Sequence, residues 1–156
     1  MGFISNKSNS QNHNIGGEKM PKTILVVDDE PDIRQTVKSI LEINGYKVII
    51  AEDGDDCLKI LRDVKPDLIL LDIMMPGTPV AEIIKQIKDI KIAFMSVVRI
   101  SDARKKGLCS QPNIVDFFQK PFNVSDLINR IELIFNEWIW EQKKSKLSYF
   151  KIGGHK

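Results

Sequence analysis

The sequence has only two cysteines, Cys57 and Cys109, in 156 residues. Two thiols are too few for a disulfide framework and are typical of proteins from a reducing compartment. No apolar run reaches the roughly 18 residues that a membrane-spanning helix needs, and the chain does not open with a signal peptide. We therefore expect a cytoplasmic protein without a membrane span.

The chain also has few histidines and a small net charge. The two histidines, His13 and His155, lie near opposite ends of the chain, so a histidine-based metal site is not indicated. The net charge is only +2, but residues 142–156 contain five lysines and no acid, which leaves the rest mildly acidic. Residues 1–20 are rich in Asn, Ser and Gly and lack periodicity. We expect a disordered N-terminal extension over 1–20, one domain over 21–141 and a basic C-terminal tail over 142–156.

Short aliphatic runs alternate with amphipathic stretches from Thr23 onward. The runs predict five strands, at 24–27, 46–51, 67–72, 92–98 and 114–118. The amphipathic stretches predict five helices, at 32–44, 55–64, 81–88, a weak one at 101–110 and a long, extended last helix that begins at Ser125. Thr78 is the expected N-cap of the third helix, with Pro79 in its first turn. Nearly continuous aliphatic strands indicate an α/β fold: a five-stranded parallel sheet, doubly wound with helices on both faces.

Polar side chains follow several of the predicted strands. They are Asp28, Asp29, Asp72, Ser96 and Lys120. Because right-handed crossovers bring the carboxyl ends of parallel strands to one edge of the sheet, these side chains are expected to meet there.

The chemistry of such an edge is specific. Three neighbouring carboxylates repel one another unless a cation lies among them, and Mg²⁺ prefers carboxylates, waters and phosphate oxygens. Lys120 supplies a compact ammonium suited to phosphate, and Ser96 a hydroxyl. These groups are the parts that phosphoryl transfer needs, with Asp72 as the nucleophile that forms an acyl phosphate.

Four segments together, ILVVDDEPDIRQTV, DLILLDIMMPG, the strand that ends near Ser96, and DFFQKPF, carry a family resemblance. In this order and spacing, over about residues 22–138, the chain resembles the receiver domain of a two-component response regulator, whose fold is flavodoxin-like (CheY-like).

The resemblance implies a role for each matching position. Asp72 would accept a phosphoryl group from a sensor histidine kinase or a phosphotransfer protein. Asp29 and Asp72 would bind Mg²⁺ directly, Asp28 through a water molecule, and Met74 through its main-chain carbonyl.

The remaining matches concern the response to phosphorylation. Lys120 would pair with the aspartyl phosphate, and its peptide bond to Pro121 would be cis. Ser96 would turn toward the phosphoryl group, and Phe117 would be the aromatic switch that follows it inward, although Phe118 could share or take that role.

The chain departs from the family pattern at three places. Pro79-Val80 replaces the usual Asp-Gly pair. Val97 replaces a small residue, and we expect it to restrict access to the phosphoryl group. Residues 98–113 lack the Ala-rich helix and Gly-Ala turn usual before the last strand, so the fourth helix is expected to be short or shifted.

Only 35 residues follow Pro121, too few for a DNA-binding domain with its own core, so we expect a single-domain, stand-alone receiver that acts on a downstream protein target. Trp138 is expected on the core face of the last helix. Trp140 is expected off the core face, where it would either form a contact site or be covered by residues 147–150. A homodimer through this helix is a further hypothesis.

Two other functions stay open. A pseudo-receiver would act as an interaction module without phosphorylation. An Mg²⁺-dependent phosphatase is disfavoured because Met74 stands where such enzymes commonly place a second acid, so we expect no enzyme.

Overall fold

The computed structural model describes residues 20–136 of the chain. Expectations for the N-terminal extension, the basic tail, Trp138, Trp140 and the continuation of the last helix concern residues outside this range.

Five parallel strands form one sheet in the order β2-β1-β3-β4-β5. They are β1 (Thr23–Val27), β2 (Lys47–Ala51), β3 (Leu68–Asp72), β4 (Lys91–Ser96) and β5 (Ile114–Gln119). Every residue of β3 is buried, as expected for a strand covered on both faces. Because β1 and β3 are neighbours at the centre, the residues that end or follow these two strands lie side by side.

Five helices cover the sheet. They are α1 (Pro31–Ile43), α2 (Gly54–Ile60), α3 (Val80–Lys85), α4 (Ile100–Lys105) and α5 (Val124–Phe135). Buried residues of α2, α3 and α4 share one apolar cluster with alternate strand residues such as Leu25 and Val27. Buried residues of α1 and α5 share the other cluster with Ile24 and Val26. The predicted fold class, a five-stranded parallel sheet with helices on both faces, is confirmed.

Several predicted bounds were wrong. The helix predicted for 55–64 ends at Ile60, the one predicted for 81–88 ends at Lys85, and the strand predicted for 92–98 ends at Ser96. Thr78 does not cap α3: its hydroxyl donates to Asp55 Oδ1 at 2.9 Å, and Pro79 occupies the N-cap position. The fourth helix is short, as predicted, with six residues.

Candidate functional site

Three carboxylates converge at the carboxyl edge of the two central strands. Asp28 and Asp29 follow β1, Asp72 ends β3, and Val27 is paired with Leu71 in the sheet. One oxygen from each carboxylate lies within 4.8 Å of the other two. Asp28 and Asp72 are buried, whereas Asp29 is exposed to solvent. The predicted meeting of these three acids is therefore present in the structure.

Lys120 places its ammonium group between two of the carboxylates. The residue follows β5, and its Nζ donates to Asp28 Oδ2 at 2.5 Å and to Asp72 Oδ2 at 3.3 Å. The side chain is only 10% exposed, and the Lys120–Pro121 peptide bond is cis, as the resemblance implied. Lys120 thus brings a positive charge into the acidic cluster from the end of β5, which is separated from β3 by β4.

Burial and neighbouring charges shift the pKa values of Asp72 and Lys120. Burial raises the pKa of Asp72, assisted by the negative charge of Asp28 and opposed by the Met74 N–H and by Lys120. Burial lowers the pKa of Lys120, but its bonds to Asp28 and Asp72 outweigh this effect, and the pKa is raised. Lys120 therefore keeps its positive charge at neutral pH.

The remaining carboxylate oxygens accept main-chain hydrogen bonds. Asp72 Oδ1 accepts from the Met74 N–H at 2.9 Å, and Asp28 Oδ1 accepts from the Glu30 N–H at 3.0 Å. Arg34 Nη1 donates to the main-chain carbonyl of Asp28 at 2.7 Å. Arg34 was not predicted to belong to the site. The sequence indicates it only as a basic residue early in the helix that follows the acids.

Ser96 ends β4 at the same edge and is fully buried. Its hydroxyl oxygen accepts from the Val98 N–H at 3.2 Å, so it is held by the loop that follows its own strand. Val97, the first residue of that loop, is 64% exposed. The structure thus places Ser96 at the predicted edge, and the restriction of access by Val97 stays a prediction.

The two phenylalanines of β5 lie on opposite faces of the sheet. Phe117 is buried in the α2–α4 cluster and makes a T-shaped contact with Phe94, with ring centroids 6.2 Å apart. Phe118 belongs to the α1–α5 cluster, where the Arg130 guanidinium lies 4.3 Å from the ring centroid.

The donor set suits Mg²⁺, a hard cation that binds oxygen ligands and retains several waters. Two buried carboxylates and an exposed one supply oxygens at one place, and the exposed side of Asp29 leaves room for solvent ligands.

Within residues 20–136, no helix is both long enough and apolar enough to cross a bilayer.

Comparisons with known proteins agree with this geometry. The family model for the response regulator receiver domain matches residues 24–132. The chain is 36% identical over 119 residues to the phosphate regulon transcriptional regulatory protein PhoB of Pseudomonas aeruginosa, covering 72% of this chain and 51% of that protein. It is 32% identical over 119 residues to the response regulator MprA of a Mycobacterium species, covering 74% of this chain and 51% of that protein. The chain spans about half the length of these curated relatives.

Two solved structures are similar over almost their whole length. The chemotaxis response regulator CheY4 of Vibrio cholerae has a TM-score of 0.66 at 26% identity, covering 74% of this chain and 99% of that one. The response regulator TrrA of Thermotoga maritima, solved in complex with Mg²⁺ and BeF, has a TM-score of 0.63 at 35% identity. That match covers 72% of this chain and 98% of TrrA.

Proposed function

Because the chain belongs to the response regulator receiver family, we propose that it accepts a phosphoryl group on Asp72 from a sensor histidine kinase or a phosphotransfer protein. The observation that carries the proposal is the convergence of three carboxylates and one buried ammonium at the same edge of the sheet. Domains of this family are signalling domains of two-component systems, so the product is a modified protein rather than a released metabolite.

In the proposed reaction, a carboxylate oxygen of Asp72 forms a bond to phosphorus while the bond between phosphorus and the donor's imidazole nitrogen breaks. The imidazole leaves with the electron pair of that bond. Lys120, which already donates to Asp72, offers its charge to the phosphoryl oxygens.

Receiver domains bind Mg²⁺ at their acidic pocket, and in this chain Asp29 and Asp72 would hold the ion directly. Asp28 would act through a water molecule, since Lys120 already occupies one of its oxygens, and the main-chain carbonyl of Met74 would complete the protein ligands. The ion supplies positive charge that stabilises the phosphoryl oxygens as charge shifts during transfer.

Ser96 and Phe117 would change conformation in response to phosphorylation. Phosphorylation adds negative charge to Asp72, and the hydroxyl of Ser96 would leave the Val98 N–H to bind the phosphoryl group. Phe94 and Phe117 lie on the α4 face of the sheet, whereas Phe118 lies on the opposite face. Ser96 is two residues after Phe94 in β4, so side-chain alternation along the strand puts it on the α4 face as well. The alternation therefore favours Phe117 over Phe118 as the aromatic residue that responds, and a downstream protein would recognise the altered surface.

The direct test is transfer from a phosphorylated histidine kinase or acetyl phosphate to the purified chain, followed by intact mass. We expect a gain of one phosphoryl group that requires Mg²⁺, is lost with EDTA and is lost in Asp72→Asn. Asp63→Asn, which changes an exposed acid between α2 and β3, is the matched control and should be phosphorylated normally.

One result would overturn the proposal. If the folded chain gains no phosphoryl group from a donor that labels a known receiver, the chain would be better described as a pseudo-receiver, an interaction module that works without phosphorylation.

A further inference from the structure

The side chain of Gln119 holds the start of the loop between β4 and α4. Gln119 is the last residue of β5 and is paired with Ser96 in the sheet. Its Nε2 donates to the main-chain carbonyl of Val97 at 2.8 Å and to that of Ser96 at 3.3 Å. One amide nitrogen therefore binds two successive main-chain carbonyls, those of Ser96 and Val97.

These bonds are separate from the hydrogen bonds that build the sheet. The Ser96 carbonyl also accepts a main-chain hydrogen bond from the Lys120 N–H, just beyond the end of β5, at 2.8 Å. The carbonyl of Val97 lies beyond the end of β4, and the Gln119 side chain reaches it from the neighbouring strand. Because the side chain of Gln119 is exposed, the contact is not a by-product of core packing.

The anchored loop also holds the hydroxyl of Ser96. The Ser96 oxygen accepts from the Val98 N–H at 3.2 Å, and this arrangement coexists with an unmodified Asp72 bonded to Lys120. For the hydroxyl to reach a phosphoryl group on Asp72, it must give up its hydrogen bond with the Val98 N–H. That N–H belongs to the same peptide group as the Val97 carbonyl that Gln119 anchors. The carbonyls of Ser96 and Val97, which directly precede the Val98 N–H in the chain, both accept hydrogen bonds from Gln119.

We propose that Gln119 is a positioning residue that holds the β4–α4 loop in the arrangement belonging to unmodified Asp72, and thereby opposes the turn of Ser96 toward a phosphoryl group. The inference rests on the proposed function and adds a residue that sets how readily the domain switches. Gln119 directly precedes Lys120, so the loop anchor and the phosphoryl-binding ammonium are consecutive residues at the end of one strand.

The test uses beryllofluoride as the phosphoryl mimic, titrated calorimetrically into the full chain at saturating Mg²⁺. We expect Gln119→Leu to bind beryllofluoride about fivefold more tightly than the natural chain, because about 1 kcal/mol of hydrogen bonding no longer opposes the switch. Gln119→Glu should also bind more tightly, since a carboxylate cannot donate to the two carbonyls. Unchanged or weaker binding in both variants would overturn the proposal.

Two controls separate positioning from a general effect. Gln86→Leu makes the same chemical change at the end of α3, where the amide donates to the Glu82 carbonyl of its own helix, and should leave the affinity unchanged. In a Ser96→Ala background, Gln119→Leu should give no gain, since the hydroxyl through which it acts is missing. A gain that persists in that background would refute the role assigned to Gln119.

Amide exchange measured without any phosphoryl mimic distinguishes this inference from the proposed function. The Val98 N–H should exchange faster in Gln119→Leu than in Gln86→Leu, and equal rates would overturn the anchor. If the natural chain binds no beryllofluoride and accepts no phosphoryl group, the proposed function fails, whatever the exchange rates are.

Discussion

The Lys120 side chain reaches from the end of β5 to carboxylates that follow β1 and end β3, 92 and 48 residues earlier in the chain. Asp28 is fully buried, so its charge depends on the hydrogen bonds and the cation that replace water. Lys120 offsets the repulsion between Asp28 and Asp72 in the absence of metal. One side chain thus serves both the stability of the site and its proposed chemistry.

Replacing Lys120 should therefore destabilise the fold. We expect Lys120→Met to lower the free energy of unfolding by about 2–4 kcal/mol without Mg²⁺, because two buried carboxylates lose their shared cation. Urea denaturation at neutral pH followed by circular dichroism measures the change. Lys105→Met, at an 80% exposed side chain, is the control and should cause no measurable loss. Equal stability of both variants would contradict this account.

Single residues were predictable where a strand ended on a polar group. Asp28, Asp29, Asp72, Ser96 and Lys120 were placed at one edge from the pattern of aliphatic runs alone. The pattern does not show which partners bond, because such contacts depend on side-chain reach between distant strands. The shorter bond of Lys120 to Asp28 than to Asp72, and the loop anchor at Gln119, became visible only in three dimensions.

Helices α2 and α3 pack closely at Gly54, the first residue of α2. A Cβ atom at this position would lie 2.8 Å from both Cδ1 and Cγ1 of Ile83 in α3, closer than packed atoms approach. Ile83 is fully buried among the apolar side chains of its face and has little room to move. Glycine at 54 therefore permits the contact between the two helices.

Gly54→Ala should destabilise the protein by about 1–3 kcal/mol through overpacking, even though alanine favours helices. Chemical denaturation measures the loss. Ile83→Val removes one of the two clashing carbons, so the double variant should lose less stability than the sum of the single variants. Ile131→Val, on the opposite face of the sheet, should instead be additive with Gly54→Ala. Additivity in both pairs would argue against the clash.

Strands were predicted more accurately than helix ends. A buried strand produces an uninterrupted aliphatic run, although at β4 the apolar pattern resumes at the exposed Val97, beyond the end of the strand. The predicted extension of α2 to residue 64 failed because Leu61, which packs partly against the core, keeps helical spacing although it lies just beyond the helix. At Thr78 the cap prediction failed because Asp55, 23 residues away, accepts the hydrogen bond of the hydroxyl.

The pairing of β1 with β3 assembles the acidic site. Asp28 and Asp29 come from the segment after β1 and Asp72 from the end of β3, and only the pairing of these strands brings their oxygens within 4.8 Å. An unfolded chain would separate the carboxylates and bind Mg²⁺ far more weakly. Metal binding should therefore be coupled to global folding.

Mg²⁺ should raise the free energy of unfolding of the natural chain, by about 1.4 kcal/mol at ten times the dissociation constant. Urea titrations at constant ionic strength, with and without Mg²⁺, measure the difference. Asp29→Asn should remove most of the gain without unfolding the protein, because Asp29 is exposed and its loss leaves the core intact. Asp63→Asn should retain the gain, since that acid lies between α2 and β3. If Mg²⁺ stabilised the Asp29→Asn variant as much as the natural chain, Asp29 would not be a ligand, and the ion would have to bind without it.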